Sequence, residues 1–199
     1  MSKKNIAVFV SGSGTNLQAI INAKIKSANL AIVLSNKPDA YALERALKHN
    51  IPVEVVDHKE FDTREAFEAE LIERLKKYNV KLIVLAGFMR ILTSFFVNNY
   101  KHRIINLHPA LLPSFPGIHS AKQALDYGVK ITGVTVHFVD DGVDTGPIIL
   151  QSVVPIDDSD SEDSLLEKIH KEEHRIFPEA VKLFCEGRLS ISGRKVIIK

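Results

Sequence analysis

Several features that would place a protein in a special class are scarce or missing from this sequence. Cys185 is the only cysteine, so no intrachain disulfide can form, and the cytoplasm is the simplest expected compartment. No apolar run is long enough to span a bilayer, so no membrane partner is expected. The formal net charge is only +2, which gives no electrostatic reason to expect nucleic acid as a partner. The first four residues lack the layout of a signal peptide.

The 199 residues have an ordinary globular composition, with 45% apolar and 25% charged residues. Strand-like runs alternate with helix-like segments, so we expect one α/β domain with a mostly parallel sheet and helices on both faces. The predicted strands are residues 5–10, 30–34, 53–56, 82–86, 104–108, 132–139, 148–156 and 195–198. The pair at 132–139 and 148–156 is expected to be antiparallel, because its connecting loop is short. Helices are predicted from residue 17, at 40–49, from 62, at 120–127 and from 161, the last one kinked or split at Pro178.

One predicted strand ends on two polar side chains, Asn106 and His108. They are two residues apart, so in an extended segment they point to the same side. Ligands of open α/β sheets bind at the carboxyl ends of the strands. An amide that stabilises a developing oxyanion, beside an imidazole that moves a proton, suits acyl transfer. The alternative is a structural histidine that ends a core strand.

A second polar segment, the aspartate loop (residues 140–146), follows the strand pattern at 132–139. It carries three carboxylates, Asp140, Asp141 and Asp144. A carboxylate that reached His108 would fix the tautomer of the ring and stabilise its protonated form. All three are chemically eligible, and spacing alone does not choose among them.

The glycine loop (residues 11–16) lies between the first predicted strand and the first predicted helix. Its glycines, Gly12 and Gly14, let the backbone approach a ligand, and the helix that follows offers free N–H groups to an anion. Residue 17 is leucine and no P-loop lysine is present, so a small phosphorylated ligand is favoured over NAD or ATP. The alternative is a plain strand–helix turn capped by Asn16.

The last predicted helix carries a carboxylate on its apolar face. Glu173 falls between Ile169 and Ile176, where an unpaired charge is costly. It is predicted either to bind the hydroxyl groups of a ligand or to form a structural ion pair or turn outward at a kink. His170 and His174 are four residues apart, but no third ligand is evident, so a zinc site is disfavoured.

For three further residues the sequence pattern gives a weaker indication of function. Arg64 lies just inside a predicted helix and Arg90 just after a predicted strand. Each could hold an acidic ligand, and each could equally be a solvated surface charge. Cys185 follows Phe184 in a helical pattern and is predicted to be a small core residue.

Four motifs together resemble those of the glycinamide ribonucleotide formyltransferases, a folate-dependent family of purine biosynthesis. The motifs are residues 11–18, 86–92, 106–113 and 140–146, and the resemblance covers nearly the whole chain. It implies a Rossmann-like formyltransferase fold in a single domain, residues 1–199. Residues 1–100 would form the mononucleotide-binding half and residues 101–199 the catalytic and folate-binding half. Two departures are Ala110, where serine is frequent in the family, and a short tail beyond Gly187.

The resemblance also implies roles for particular residues. The catalytic trio would be Asn106, His108 and Asp144. The ribonucleotide would be bound by Gly14, Thr15, Asn16 and Glu173. The folate would be contacted by Arg64, Met89, Arg90, Ile91, Leu92, Asn106, Asp140 and Asp144.

The implied reaction moves a formyl group from 10-formyltetrahydrofolate, a co-substrate, to the amine of phosphoribosylglycinamide. The amine attacks directly and a tetrahedral intermediate forms, without a metal. We expect small-molecule partners only, and a monomer or homodimer. The alternatives are another formyl-folate enzyme and a non-catalytic binder. Methionyl-tRNA formyltransferase and formyltetrahydrofolate hydrolase carry additional domains for which we expect no room here, and a binder would not need the complete trio.

Overall fold

A computed structural model describes residues 3–199 of the protein as alternating strands and helices. The strands are β1 (Lys4–Val10), β2 (Ala28–Ser35), β3 (Val53–Val55), β4 (Leu82–Leu85), β5 (Ile104–His108), β6 (Ile131–Phe138), β7 (Ile148–Pro155), β8 (Leu189–Ser192) and β9 (Lys195–Ile198). The helices are α1 (Thr15–Asn22), α2 (Tyr41–Lys48), α3 (Arg64–Lys77), α4 (Ser94–Asn99), α5 (Ser120–Tyr127) and α6 (Glu162–Cys185), with a 3-10 turn at His58–Glu60. Every predicted strand and helix is present.

The strands form one nine-stranded sheet in the order β3-β2-β1-β4-β5-β6-β7-β9-β8. The first five strands in this order are parallel to one another, and β6 is antiparallel to both β5 and β7. The expected mostly parallel sheet with antiparallel C-terminal strands is therefore confirmed. The register of β5 with β6 sets Asn106 opposite His137 and His108 opposite Thr135.

Apolar side chains of β1 alternate between the two faces of the sheet, as the period of two in a strand requires. Val8 and Val10 belong to one core, which includes Phe177 of α6. Phe9 belongs to the other core, which includes Leu71 of α3. The sheet is thus covered on both faces. Among the helices of residues 3–199, none combines the length and apolar content that crossing a membrane requires.

Pro178 does not split α6, although a split was one of the two predicted outcomes. The helix runs unbroken from Glu162 to Cys185, and Pro178 is buried within it. Packing of the buried face against the sheet holds the helix through the one backbone hydrogen bond that proline cannot donate. Helix α4 and strand β8 were not predicted, because they have only six and four residues and are too short for a clear periodic pattern.

Candidate active site

The carboxyl end of β5 presents Asn106 and His108 on one side of the sheet. His108 is almost fully buried, with 3% of its surface exposed. Its Nε2 lies 2.8 Å from the carbonyl oxygen of Phe115, and its Nδ1 lies 3.3 Å from Oδ2 of Asp144. Both ring nitrogens therefore face oxygen acceptors, and only a doubly protonated ring can donate to both.

Electrostatics at this pair favour a neutral ring at rest. Burial is the largest influence on His108 and lowers its pKa below the ordinary 6.5, although Asp144 and the Phe115 carbonyl act in the opposite direction. Burial also acts on Asp144, where it raises the pKa. The nearby imidazole of His137, the donating N–H of Gly117 and the ring of His108 outweigh it and hold that pKa below the usual 3.8. At neutral pH the pair is therefore an imidazole beside a carboxylate, ready to take up one proton.

The aspartate loop brings one of its three carboxylates to His108. Asp144 has a left-handed backbone (φ 55°), which aspartate tolerates better than most residues, and its Oδ2 also accepts from the Gly117 N–H at 2.9 Å. Gly146 fixes the exit of the loop, because a Cβ there would lie 1.7 Å from the Phe138 carbonyl oxygen.

The other two carboxylates of the aspartate loop have different surroundings. Oδ1 of Asp140 accepts from the Thr145 hydroxyl at 2.6 Å and from the Gly142 N–H at 3.2 Å, so this side chain supports the loop from inside. Asp141 is exposed. The choice that spacing left open is thus resolved geometrically, since the Asp144 carboxylate is the one placed against His108.

His137 is a polar residue of this site to which the sequence analysis gave no role. Its Nδ1 lies 2.9 Å from the Phe138 carbonyl and donates to it, so Nε2 can accept from Nδ2 of Asn106 at 3.3 Å. Nε2 also lies 3.7 Å from Asp144. This contact orients the Asn106 amide and leaves its second N–H for a ligand. Only the β5–β6 register could have revealed it.

The chain after His108 is held by two further residues that the sequence analysis missed. The buried Thr135 hydroxyl donates to the Ala110 carbonyl at 2.7 Å and accepts from the Leu112 N–H at 3.0 Å. Nε2 of Gln151 donates to Thr135 and to the Leu112 carbonyl, each at 3.0 Å. These bonds fix the start of the loop that carries the Phe115 carbonyl over His108.

The glycine loop has the shape of an anion site. The Gly12 carbonyl accepts from the Ala42 N–H at 3.0 Å, and the Ser13 carbonyl accepts from Arg45 at 2.8 Å, so both carbonyls point toward α2. In trans peptides the next N–H points the opposite way, so the N–H groups of Ser13 and Gly14 are directed away from α2. Gly14, with φ 75°, is the N-cap residue of α1, and no side chain caps this helix, so the alternative of a turn capped by Asn16 is not observed.

Asn16 instead contacts Glu173, the carboxylate on the apolar face of α6. Glu173 is only 5% exposed, and its Oε2 accepts from Nδ2 of Asn16 at 3.0 Å. The Asn16 amide oxygen is buried and has no protein partner within residues 3–199. The carboxylate is also close enough to raise the pKa of His108. Glu173 therefore lies between the glycine loop and the His108–Asp144 pair.

Residues 89–92 follow β4 at the same edge of the sheet. Met89 and Ile91 are about two thirds exposed, at 66% and 63%, whereas Leu92 is buried. The Arg64 guanidinium donates to the Ile91 carbonyl, which makes Arg64 a support of this segment. Arg90 is half-buried. Because β1, β4 and β5 are parallel, the glycine loop, residues 89–92 and His108 all leave the same edge.

Known proteins resemble this chain in both sequence and fold. Residues 4–181 match the family model described as formyl transferase. The chain belongs to this family. Phosphoribosylglycinamide formyltransferase of Escherichia coli (strain K12) is 47% identical over 191 residues, covering 94% of this chain and 90% of that protein. Glycinamide ribonucleotide transformylase 1 from Symbiobacterium toebii superposes with a TM-score of 0.96 at 48% identity, covering 98% of this chain and 94% of that one.

Longer relatives contain a similar segment. Trifunctional purine biosynthetic protein adenosine-3 of Drosophila melanogaster is 50% identical over 195 residues. That alignment covers 96% of this chain, which spans only 14% of the length of the insect protein. The similarity to the E. coli protein in sequence and to the Symbiobacterium toebii protein in fold extends over almost the whole of this formyl transferase.

Proposed function

We propose that this protein transfers the formyl group of 10-formyltetrahydrofolate to the amine of phosphoribosylglycinamide. The observation that carries the proposal is the buried His108, 3.3 Å from Asp144 and beside the amide of Asn106, in a chain of the formyl transferase family. The E. coli relative is named for formyl transfer to phosphoribosylglycinamide, and the Drosophila relative for purine biosynthesis.

In this proposal, residues 89–92 and the aspartate loop bind the folate. The apolar side chains of Met89, Ile91 and Val143 are exposed on these two segments and offer contact area to a flat ring system. Arg64 supports residues 89–92, Asp140 supports the aspartate loop, and Arg90 and Leu92 complete the contact segment. The folate brings the formyl group, and the protein residues supply orientation and proton transfer.

The ribonucleotide is proposed to lie between the glycine loop and α6. The N–H groups at Gly14, Thr15 and Asn16, at the start of α1, would bind the phosphate. Glu173 would accept hydrogen bonds from the ribose hydroxyls, since it is a buried carboxyl group and, within residues 3–199, only its Oε2 accepts a hydrogen bond, from Asn16. Such a ligand would extend from the phosphate toward His108, where its amine must arrive.

The proposed chemistry uses one side chain that accepts a proton, His108, and one that donates a hydrogen bond to the oxyanion, Asn106. When the Phe115 carbonyl withdraws from Nε2 of His108, the neutral ring can change to the tautomer that carries its single proton on Nδ1 and donates it to Asp144. Nε2 is then free to accept the proton of the attacking amine. The free N–H of Asn106, with the new imidazolium, stabilises the tetrahedral oxyanion. Asp144 stabilises the imidazolium until the proton passes to the leaving nitrogen, directly or through water.

We further propose that residues 1–199 act as one formyl transferase domain, in which residues 1–100 bind the mononucleotide and residues 101–199 carry the catalytic and folate-binding groups. The support is that a single sheet runs through both halves. A cytoplasmic location, small-molecule partners only and a monomeric or homodimeric state are proposed on the sequence arguments given above.

The test is an absorbance assay for tetrahydrofolate with 10-formyltetrahydrofolate as donor, run with and without phosphoribosylglycinamide. Formation of product that requires the ribonucleotide, and that His108→Ala abolishes, supports the proposal. Tetrahydrofolate release without the acceptor would indicate a hydrolase. Tight binding of both compounds without turnover would indicate a binder. Either of the last two results overturns the proposed function.

A further inference from the structure

A buried serine connects the glycine loop with the segment at residues 89–92. Ser11 directly follows β1 and is 4% exposed. Its hydroxyl accepts from the Met89 N–H at 2.8 Å and donates to Oδ1 of Asn36 at 2.5 Å. Its own N–H donates to the Gly87 carbonyl at 3.1 Å. The first residue of the glycine loop is thus bonded to the chain on both sides of Phe88.

The Ser11 hydroxyl is held in one orientation by its surroundings. Asn36, its acceptor, is 1% exposed, and the Asn36 amide nitrogen lies 3.2 Å from Nδ1 of His58. The hydroxyl hydrogen is therefore directed to Asn36, and a lone pair is directed to the Met89 N–H. Removal of the Ser11 oxygen would leave the Asn36 amide oxygen and the Met89 N–H without their hydrogen-bond partner. A buried polar group that loses its partner costs more free energy than the hydrogen bond itself contributes.

The other end of the segment has its own anchor on α3. Glu68, 1% exposed, accepts from the Thr93 N–H at 2.7 Å and from the Thr93 hydroxyl. Residues 89–92 are therefore fixed at both ends by buried side chains, while Met89 and Ile91 face outward between them. Removing the anchor at one end should displace the segment without releasing it.

We propose that Ser11 is a positioning residue for the folate-binding segment. Its hydroxyl fixes residues 89–92 against the glycine loop, so that the two ligands are presented to each other at a set separation. The identity of the ligands rests on the function proposed above, whereas the contacts of Ser11 do not depend on it.

A neighbouring serine provides a matched control. Ser35 ends β2 and pairs in register with Val10, next to Ser11. It is fully buried, and its hydroxyl makes a donor and an acceptor bond as well, both to the backbone of Lys37 at 2.8 and 3.0 Å. Ser35→Ala removes the same atom at the same edge of the sheet without touching residues 89–92.

The experiment compares the intact protein with Ser11→Ala and Ser35→Ala in three measurements. These are kcat and KM for both substrates, titration with tetrahydrofolate, and hydrogen exchange of the peptide that contains residues 88–92, with melting temperatures for each variant. For Ser11→Ala we expect the KM of the formyl donor and the Kd of tetrahydrofolate to rise about 5- to 10-fold, as for one lost hydrogen bond. The kcat should change less than about 2-fold, and the peptide should exchange faster.

Ser35→Ala should lower the melting temperature similarly but leave these folate constants and the exchange of that peptide unchanged. The proposal is overturned if the two variants behave alike, or if Ser11→Ala lowers kcat with no change in KM. If the unmodified protein neither transfers the formyl group nor binds tetrahydrofolate, the proposed function fails. The exchange measurement then decides on the positioning role alone.

Discussion

Replacing Asp144 by asparagine tests whether this side chain acts through its charge. Asparagine keeps the shape, an acceptor oxygen for the Gly117 N–H and a tolerance for the left-handed backbone. It loses the negative charge 3.3 Å from Nδ1 of His108, and the other oxygen, 3.7 Å from Nε2 of His137, becomes an NH₂ donor. The loop should therefore fold as before, and any change in rate can be assigned to the electrostatics of the pair.

The size of the effect follows from that distance. Two unit charges 3.3 Å apart interact by about 5 kcal/mol at an effective dielectric constant of about 20. Removing one member of a buried pair costs roughly 3–5 kcal/mol. In the proposed mechanism His108 becomes charged only after it accepts the proton, so this loss would fall on the transition state. We expect kcat to fall by roughly 10²- to 10⁴-fold, while both substrates still bind.

The pH dependence gives a second measurement on the same variant. Asp144 raises the pKa of His108 against the larger effect of burial, so removal of the charge must lower that pKa further below 6.5. A base must be neutral, so activity is lost as the pH falls through its pKa. The acidic limb of the kcat/KM profile should therefore move to lower pH in Asp144→Asn, although the plateau itself is lower.

The matched control for this prediction is Asp140→Asn, which makes the same chemical change in the same loop. Asp140 bonds to Thr145 and Gly142 and makes no contact with His108. Its replacement should cost at most about 10-fold in kcat, as for one or two loop hydrogen bonds, and should leave the acidic limb in place. If kcat falls equally in both variants and the acidic limb of the kcat/KM profile moves in neither, Asp144 only orders its loop.

Three further predictions concern the remaining site residues. Glu173→Gln should weaken the ribonucleotide by roughly 1–3 kcal/mol in calorimetric titration with little change in melting temperature. Unchanged affinity with a lower melting temperature would make Glu173 structural. A Cβ added at Gly12 meets open space, so Gly12→Ala should raise the ribonucleotide KM at an unchanged melting temperature. A Cβ added at Gly14 would lie 2.6 Å from the Cβ of Ala42, so Gly14→Ala should lower the melting temperature. Equal melting temperatures would contradict this. His108→Ala combined with Asp144→Ala should be little slower than the slower single variant, and additive losses would refute a coupled pair.

The sequence predicted the fold well because its local signals agree with one another. The apolar run of β1 and the amphipathic stripe of α3 have the periods of a buried strand and a surface helix. Short elements such as α4 carry no such period. Pro178 was overestimated as a breaker because local propensity does not include the packing of α6 on the sheet.

The site was predictable only in part, because part of it depends on register. Asn106 and His108 share a side by the alternation within one strand, which sequence shows directly. His137 reaches Asn106 only because β6 pairs with β5 in one particular register. The choice of Asp144 depends on the path of the aspartate loop, which no spacing rule encodes. Contacts across elements are set by tertiary structure, and Ser11 with Met89 is another example.

In the proposed mechanism, His108 must be neutral before the reaction and stable as a protonated ring during it. A resting proton acceptor must be neutral, and burial provides this by lowering the pKa. The protonated ring must then be stable while the oxyanion exists, and this requires acceptors at both nitrogens. Asp144 faces Nδ1, and the Phe115 carbonyl lies at Nε2, where the reacting groups would bind in the proposed mechanism. Under the proposed mechanism, we expect substrate entry to displace that carbonyl, which would link productive binding to the release of the proton acceptor.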